Sequence, residues 1–195
     1  MIIGISGVAG SGKDTLFSLF SSRTKCKKFS LADELKRETR EWCIEHYGID
    51  SLNCSREEKE QIRSFLVFHG TQKRLASEGR HWIEELNPKI KDYTESNGEL
   101  CVITDIRYDD YERDEVYWLK NEINGILIHV EMILPDGSVV PPANPEEHRN
   151  DPKLKSKADF KIKWPYKEET GENLRKELAF YADEVLFQIS CEYNI

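Results

Sequence analysis

The 195-residue chain lacks several things. Its five cysteines (Cys26, Cys43, Cys54, Cys101, Cys191) are odd in number and form no C-x-x-C, which argues against a disulfide frame and for reduced thiols in a cytosolic compartment. No apolar run approaches the length of a membrane span, and strand-forming residues begin at Ile2, leaving no room for a signal peptide. Positive charge is in deficit: 28 Lys and Arg stand against 36 Asp and Glu, a formal net charge of −8. A nucleic-acid backbone wants a basic face, so nucleic acid is not an expected partner, and neither is a membrane. A small phosphate ligand needs only local cations and is not disfavoured. There is no internal repeat or low-complexity segment, and the length suits one domain with a proper core, 1–195.

What is present is concentrated at the start. Ile2, Ile3 and Ile5 read as a buried strand, Gly7, Gly10 and Gly12 as a glycine-rich turn, and Lys13 opens an amphipathic segment carrying Leu16, Phe17, Leu19 and Phe20. Strand, glycine loop, lysine and helix is the layout of a P-loop. Glycines let backbone N–H groups curl around phosphate oxygens, and the new helix adds its positive N-terminal dipole. Gly10, Ser11, Gly12, Lys13, Asp14 and Thr15 are therefore the candidate ATP-phosphate residues, with Lys13 following the β/γ-phosphates during transfer. Asp14 stands where the pattern wants a hydroxyl, and Thr15 comes one later.

Along the chain, Cys26–Leu31 reads as a strand and Ala32–Tyr47 as a helix stopped by Gly48, with Leu35, Trp42, Cys43 and Tyr47 toward one side. Ser55-Arg-Glu-Glu58 is a capping box that starts a helix toward His69, with Ile62, Phe65, Leu66 and Phe68 as core candidates. Gly70-Thr71 is expected to break it, another helix to run to Leu86, and Asn87-Pro88 to end that one. A short helix over Lys89–Ser96 closes at Asn97-Gly98. Leu100–Thr104 is a second buried strand ending on Asp105-Ile106-Arg107. Ligands of open parallel sheets lie beyond the carboxyl ends of strands, which places Asp105 to hold a metal and Arg107 to act.

Tyr111–Asn121 reads as helix, Gly125–Met132 as strand and Pro135-Asp136-Gly137 as turn. From Pro141 to Lys157 four prolines and a cluster of His148, Arg149, Lys153, Lys155 and Lys157 suggest an irregular basic lid, 141–158. Asp159–Trp164 alternates as a strand. Thr170 is expected to open a last helix whose stripe of Leu174, Leu178, Tyr181, Ala182, Val185, Leu186 and Ile189 is core packing. His46, His69, His81 and His129 have no metal-ligand spacing. Alternating strands and helices give an α/β fold, a three-layer arrangement around a mainly parallel sheet.

These motifs resemble those of the phage-type deoxynucleoside monophosphate kinases, within the P-loop nucleoside monophosphate kinase superfamily. Gly12-Lys13-Asp14-Thr15 is similar to the family's G-K-D-T, Phe29–Lys36 to its segment after the second strand, Arg63 with Gly70-Thr71 and Trp82 to its monophosphate region, and Asp105-Ile106-Arg107 to its D-x-R. The chain departs from the family at Val67, where a Gln often sits, and after His148, where an acid usually follows sooner.

The resemblance implies transfer of the ATP γ-phosphoryl group to a deoxynucleoside monophosphate. Lys13, Asp105 and Arg107 would be catalytic, and Asp14, Thr15 and Asp105 would arrange Mg2+. Lys36, Arg63, Gly70, Thr71, Trp82 and Arg107 would hold the acceptor within a helical region, 32–98, and His148, Arg149 and Lys153 would belong to the lid. It implies a cytoplasmic location, the host cytoplasm if phage-encoded, and leaves a homodimer open. Alternatives are a P-loop kinase of another phosphorylated acceptor, resembling phosphomevalonate kinase, and a GTP-binding switch. Against the switch, the nearest string to its N-K-x-D is Ser156-Lys157-Ala158-Asp159, and there is no D-x-x-G switch motif.

Overall fold

A computed structural model describes residues 1–168 and 171–193. In chain order it has β1 (Ile2–Ser6), α1 (Lys13–Ser21), β2 (Cys26–Phe29), α2 (Leu31–Tyr47), α3 (Arg56–Ala76), α4 (His81–Asn97) and β3 (Leu100–Ile106). Then come α5 (Glu115–Tyr117), running on as a π-helical turn (Trp118–Glu122), β4 (Ile126–Ile133), α6 (Pro145–Lys157), β5 (Phe160–Pro165) and α7 (Gly171–Tyr193). The five strands pair in the order β2-β3-β1-β4-β5, and every pairing is parallel.

Two apolar clusters fill the two faces of the sheet, which is why β1, β3 and β4 read as continuous apolar runs. On one face Ile3, Ile5, Val102 and Ile128 meet Leu16, Leu19 and Phe20 of α1 and Leu178, Ala182, Val185 and Ile189 of α7. On the other, Cys101, Ile103 and Leu127 meet Ile83, Leu86 and Ile90 of α4 and the π-helical Trp118 and Leu119. Helix, sheet and helix make the three-layer α/β fold expected from the sequence.

Several boundaries differ from expectation. Helix α3 runs unbroken through Gly70-Thr71, because a side chain at Gly70 would meet Leu35 Cδ2 at 3.1 Å, so the missing Cβ permits close packing of α2 on α3. The chain turns instead at 77–80, where Gly79 has φ +85°. Helix α4 runs through Pro88, and α6 runs through Pro152 in the segment expected to be irregular. Both prolines are exposed, so water can serve the carbonyls they leave without a helical donor. The helix expected from Tyr111 starts only at Glu115, where Asp114 caps it by accepting from the Glu115 N–H at 2.9 Å. Phe68, a core candidate from the sequence, is exposed, and so are Trp42 and Tyr47 on the side of α2 that carries the buried Cys43. The expected helix start at Thr170 lies outside the described residues.

Candidate functional site

The loop between β1 and α1 is held open by what surrounds it. A Cβ on Gly7 (φ +136°) would lie 2.4 Å from the Val130 carbonyl oxygen, and one on Gly12 (φ +95°) would lie 2.6 Å from Trp164 Cζ2. Only glycine fits either place. Trp164, fully buried on β5, donates from Nε1 to the Ser11 carbonyl at 2.9 Å and so props the loop from beneath. Under the strand end, Ser6 Oγ lies 3.0 Å from Nδ1 of the buried His129, whose pKa burial pushes down to about 4. His129 is therefore a neutral part of the floor.

Lys13 folds back over its own loop, donating from Nζ to the carbonyls of Gly7 (2.6 Å) and Val8 (2.8 Å). Burial, with the nearby Arg107 charge, lowers its pKa from 10.5 to about 8. One carboxylate of the chain itself meets the loop: the Ala9 N–H donates to Glu147 Oε1 at 3.2 Å. Glu147 comes from the first turn of α6, where its own N–H is capped by Asn144 Oδ1 at 2.9 Å. A carboxylate thus sits on a backbone donor of the kind that holds phosphate.

The sequence candidates separate by position. Asp14 is exposed and ion-paired with Lys28 at 2.6 Å. Thr15, half-buried in α1, is not among the residues lining the cleft. Asp105 is engaged in the fold: Oδ2 accepts from Ser30 Oγ and the Ala32 N–H, both at 2.8 Å, and Oδ1 from the Leu31 N–H at 2.9 Å. It caps α2, a task that the side chain of the N-cap residue Ser30 does not perform.

Beyond Asp105 the chain turns on a buried ionic scaffold. The N–H groups of Arg107 and Tyr108 donate to Glu115 Oε2 at 2.6 and 3.0 Å. Arg74 binds Glu115 Oε1 (3.2 Å) and forks onto Asp114, with its guanidinium 3.8 Å above the Tyr108 ring. This leaves the Arg107 side chain projecting without an ion-pair or hydrogen-bond partner among the described residues.

One cleft of about 940 Å³ joins these parts. The glycine-loop side contributes Ala9, Lys13 and Asp14; the rest of the lining includes Lys36, Arg63, Gly70, Thr71, Trp82 and Arg107. Trp82 is buried, and its Nε1 points to the Gly70 carbonyl at 3.5 Å. Segment 141–158 differs from the irregular basic stretch expected, since most of it is helix α6. Arg149 and Lys153 pair with Asp110, both at 2.9 Å, and neither they nor His148 line the cleft. What α6 presents there is acidic, Glu146 and Glu147, and Tyr108 donates its hydroxyl hydrogen to Glu146 Oε2 at 2.9 Å.

Lys28, Lys59, Tyr108 and Glu147 are cleft residues that sequence reasoning missed. For Glu147 a signal existed, because Asn144-Pro145-Glu146-Glu147 is an N-cap, a first-turn proline and an acid at the third helical position.

The fold is one that a solved kinase structure shares. The chain is similar to a solved structure of the dephospho-CoA kinase from Campylobacter jejuni, with a TM-score of 0.51, 18% identity, and 100% of this chain and 98% of that chain covered. No protein-family model matches the chain, and no curated protein matches it significantly. No described helix is long and apolar enough to cross a membrane.

Proposed function

We propose that the chain is a kinase moving the γ-phosphoryl group of ATP to a deoxynucleoside monophosphate, giving dNDP and ADP. The observation that carries this reading is one cleft lined both by the glycine loop with Lys13 and by Lys36, Arg63 and Arg107, the last without an acidic partner among the described residues. Transfer needs two anions held in line and their charge neutralised, and little else. Gly10, Ser11, Gly12 and Lys13 hold the ATP phosphates, and Lys13 swings from its own carbonyls to the β/γ oxygens. Arg63 and Arg107 bind the acceptor phosphate, whose fork geometry Lys does not reproduce, with Lys36 beside them. Trp82, Gly70 and Thr71 shape the nucleoside pocket. An acceptor phosphate oxygen bonds to Pγ as the bond from Pγ to the bridging oxygen breaks, and that oxygen leaves with ADP.

ATP and Mg2+ are the cofactors of this reading. Among the described residues no three His, Cys, Asp or Glu side chains gather to hold a metal by themselves, so phosphate oxygens and water must complete the shell. The exposed Asp14 carboxylate, whose hydrogen-bond partner is Lys28, fits such a partial site. Asp105, whose Oδ1 accepts a single hydrogen bond, would take part through water, and Thr15 would supply the hydroxyl beside Asp14. When bound, the metal neutralises charge on the phosphates. Segment 141–158 acts as the lid, and ATP displaces Glu147 from the Ala9 N–H as the lid resets and excludes water.

A kinase of another phosphorylated acceptor is the second reading, favoured by the fold's likeness to a dephospho-CoA kinase. ADP release from MgATP against deoxy- and ribonucleoside monophosphates, phosphomevalonate and dephospho-CoA separates the two. Turnover with none of the monophosphates refutes the main reading.

A further inference from the structure

The cations lining the cleft are unequally neutralised. Lys28 pairs with Asp14, Lys36 with Asp33, Arg63 with Glu60, and Arg74 with Asp114 and Glu115. On the acceptor wall two have no acidic partner among the described residues: Arg107, already assigned above, and Lys59. Lys59 lies in the first turn of α3, one helical turn before Arg63. Its position is locally unfavourable. A cation at a helix N-terminus opposes the dipole, and like charges at i,i+4 repel. Of the neighbouring acids, Glu58 is committed to the Ser55 N–H and Glu60 to Arg63, and Glu57 forms no ion pair with Lys59. Lys59 is solvent-exposed, and partial desolvation on its cleft side, followed by the charges of Lys36, Arg63 and Arg107, pushes its ammonium below its usual pKa. Two uncompensated positive charges facing one cleft match the roughly −2 charge of a phosphomonoester at neutral pH.

We infer that Lys59 is a further acceptor-binding residue, which together with Arg107 makes the site selective for a dianionic phosphomonoester. The inference rests on the proposed kinase reading and adds a residue to it.

The test is steady-state kinetics of full-length wild type, Lys59→Ala, Lys59→Arg and Arg107→Ala, using the best nucleoside monophosphate from the panel above. Lys59→Ala raises the acceptor KM by about tenfold to a hundredfold and leaves the ATP KM unchanged. Lys59→Arg recovers most of the loss. The matching nucleoside, lacking the phosphate, inhibits wild type and Lys59→Ala equally, because its contacts lie elsewhere. An unchanged acceptor KM in Lys59→Ala, with a raised one in Arg107→Ala, overturns the inference and leaves the kinase reading standing. Equal rises in both KM values overturn it too, since that is a general field effect. No turnover of any phosphomonoester by wild type removes the reading and the inference together.

Discussion

Replacing Lys13 with methionine should abolish phosphoryl transfer and stabilise the nucleotide-free protein. Lys13 is charged at neutral pH in both folded and unfolded chains, but folding takes its ammonium out of water beside Arg107, which lowers its pKa from 10.5 to about 8. At about 1.36 kcal/mol per pKa unit, that displacement corresponds to about 3 kcal/mol of folding penalty at pH 7, an upper bound. Methionine removes the charge and keeps a flexible chain of similar length. The Gly7 and Val8 carbonyls lose the Lys13 ammonium, and water in the open cleft replaces it. A net gain of about 1–3 kcal/mol follows, or about 2–10 °C in Tm for a chain of this size.

The sign with pH is fixed. Between about 8 and 10.5 the folded state binds fewer protons at Lys13 than the unfolded state, so wild-type stability rises with pH there. The advantage of Lys13→Met is therefore largest at pH 7 and below and shrinks as pH climbs through that window. Calorimetry at pH 7 and pH 9.5 reads both quantities. A variant less stable than wild type at pH 7, or a gap that widens with pH, refutes the reasoning.

Glu147→Gln keeps the shape but removes the negative charge from the Ala9 N–H, so ATP should meet less competition. Its KM should fall by about threefold to tenfold, and an unchanged or raised ATP KM contradicts the displacement. Gly12→Ala drives a methyl to 2.6 Å from the Trp164 ring at φ +95° and should cost about 2 kcal/mol or more, seen in urea unfolding; a wild-type midpoint would count against the packing described. Asp14→Ala should raise the magnesium concentration needed for half-maximal turnover. An unchanged magnesium titration removes Asp14 from the metal site.

The glycine-rich turn between β1 and α1 was legible because its residues are neighbours in sequence and Gly7, Gly10 and Gly12 all take positive φ. The cleft's far wall, Arg63, Gly70 and Trp82, was legible only through a family pattern, since nothing in the residues themselves says that α3 and α4 bring them opposite Lys13. Two things were hidden. One is long-range commitment: Asp105 looks like a free acid after a strand, but three donors more than 70 residues earlier in the chain claim its oxygens. Glu147 meets Ala9 across 138 positions. The other is tertiary override of local signals. Gly70, Pro88 and Pro152 each read as helix breakers, yet Gly70 packs on Leu35 and the prolines lie on wet faces, where a lost backbone bond is replaced by water.

The central claim is that the cleft carries phosphoryl groups from one nucleotide to another. Its most direct test is to follow γ-labelled ATP with magnesium and each deoxynucleoside monophosphate in turn. The account predicts label at the β position of the dNDP, one ADP formed per dNDP, and loss of both products in Arg107→Ala. Label released only as inorganic phosphate, whichever monophosphate is supplied, would contradict it.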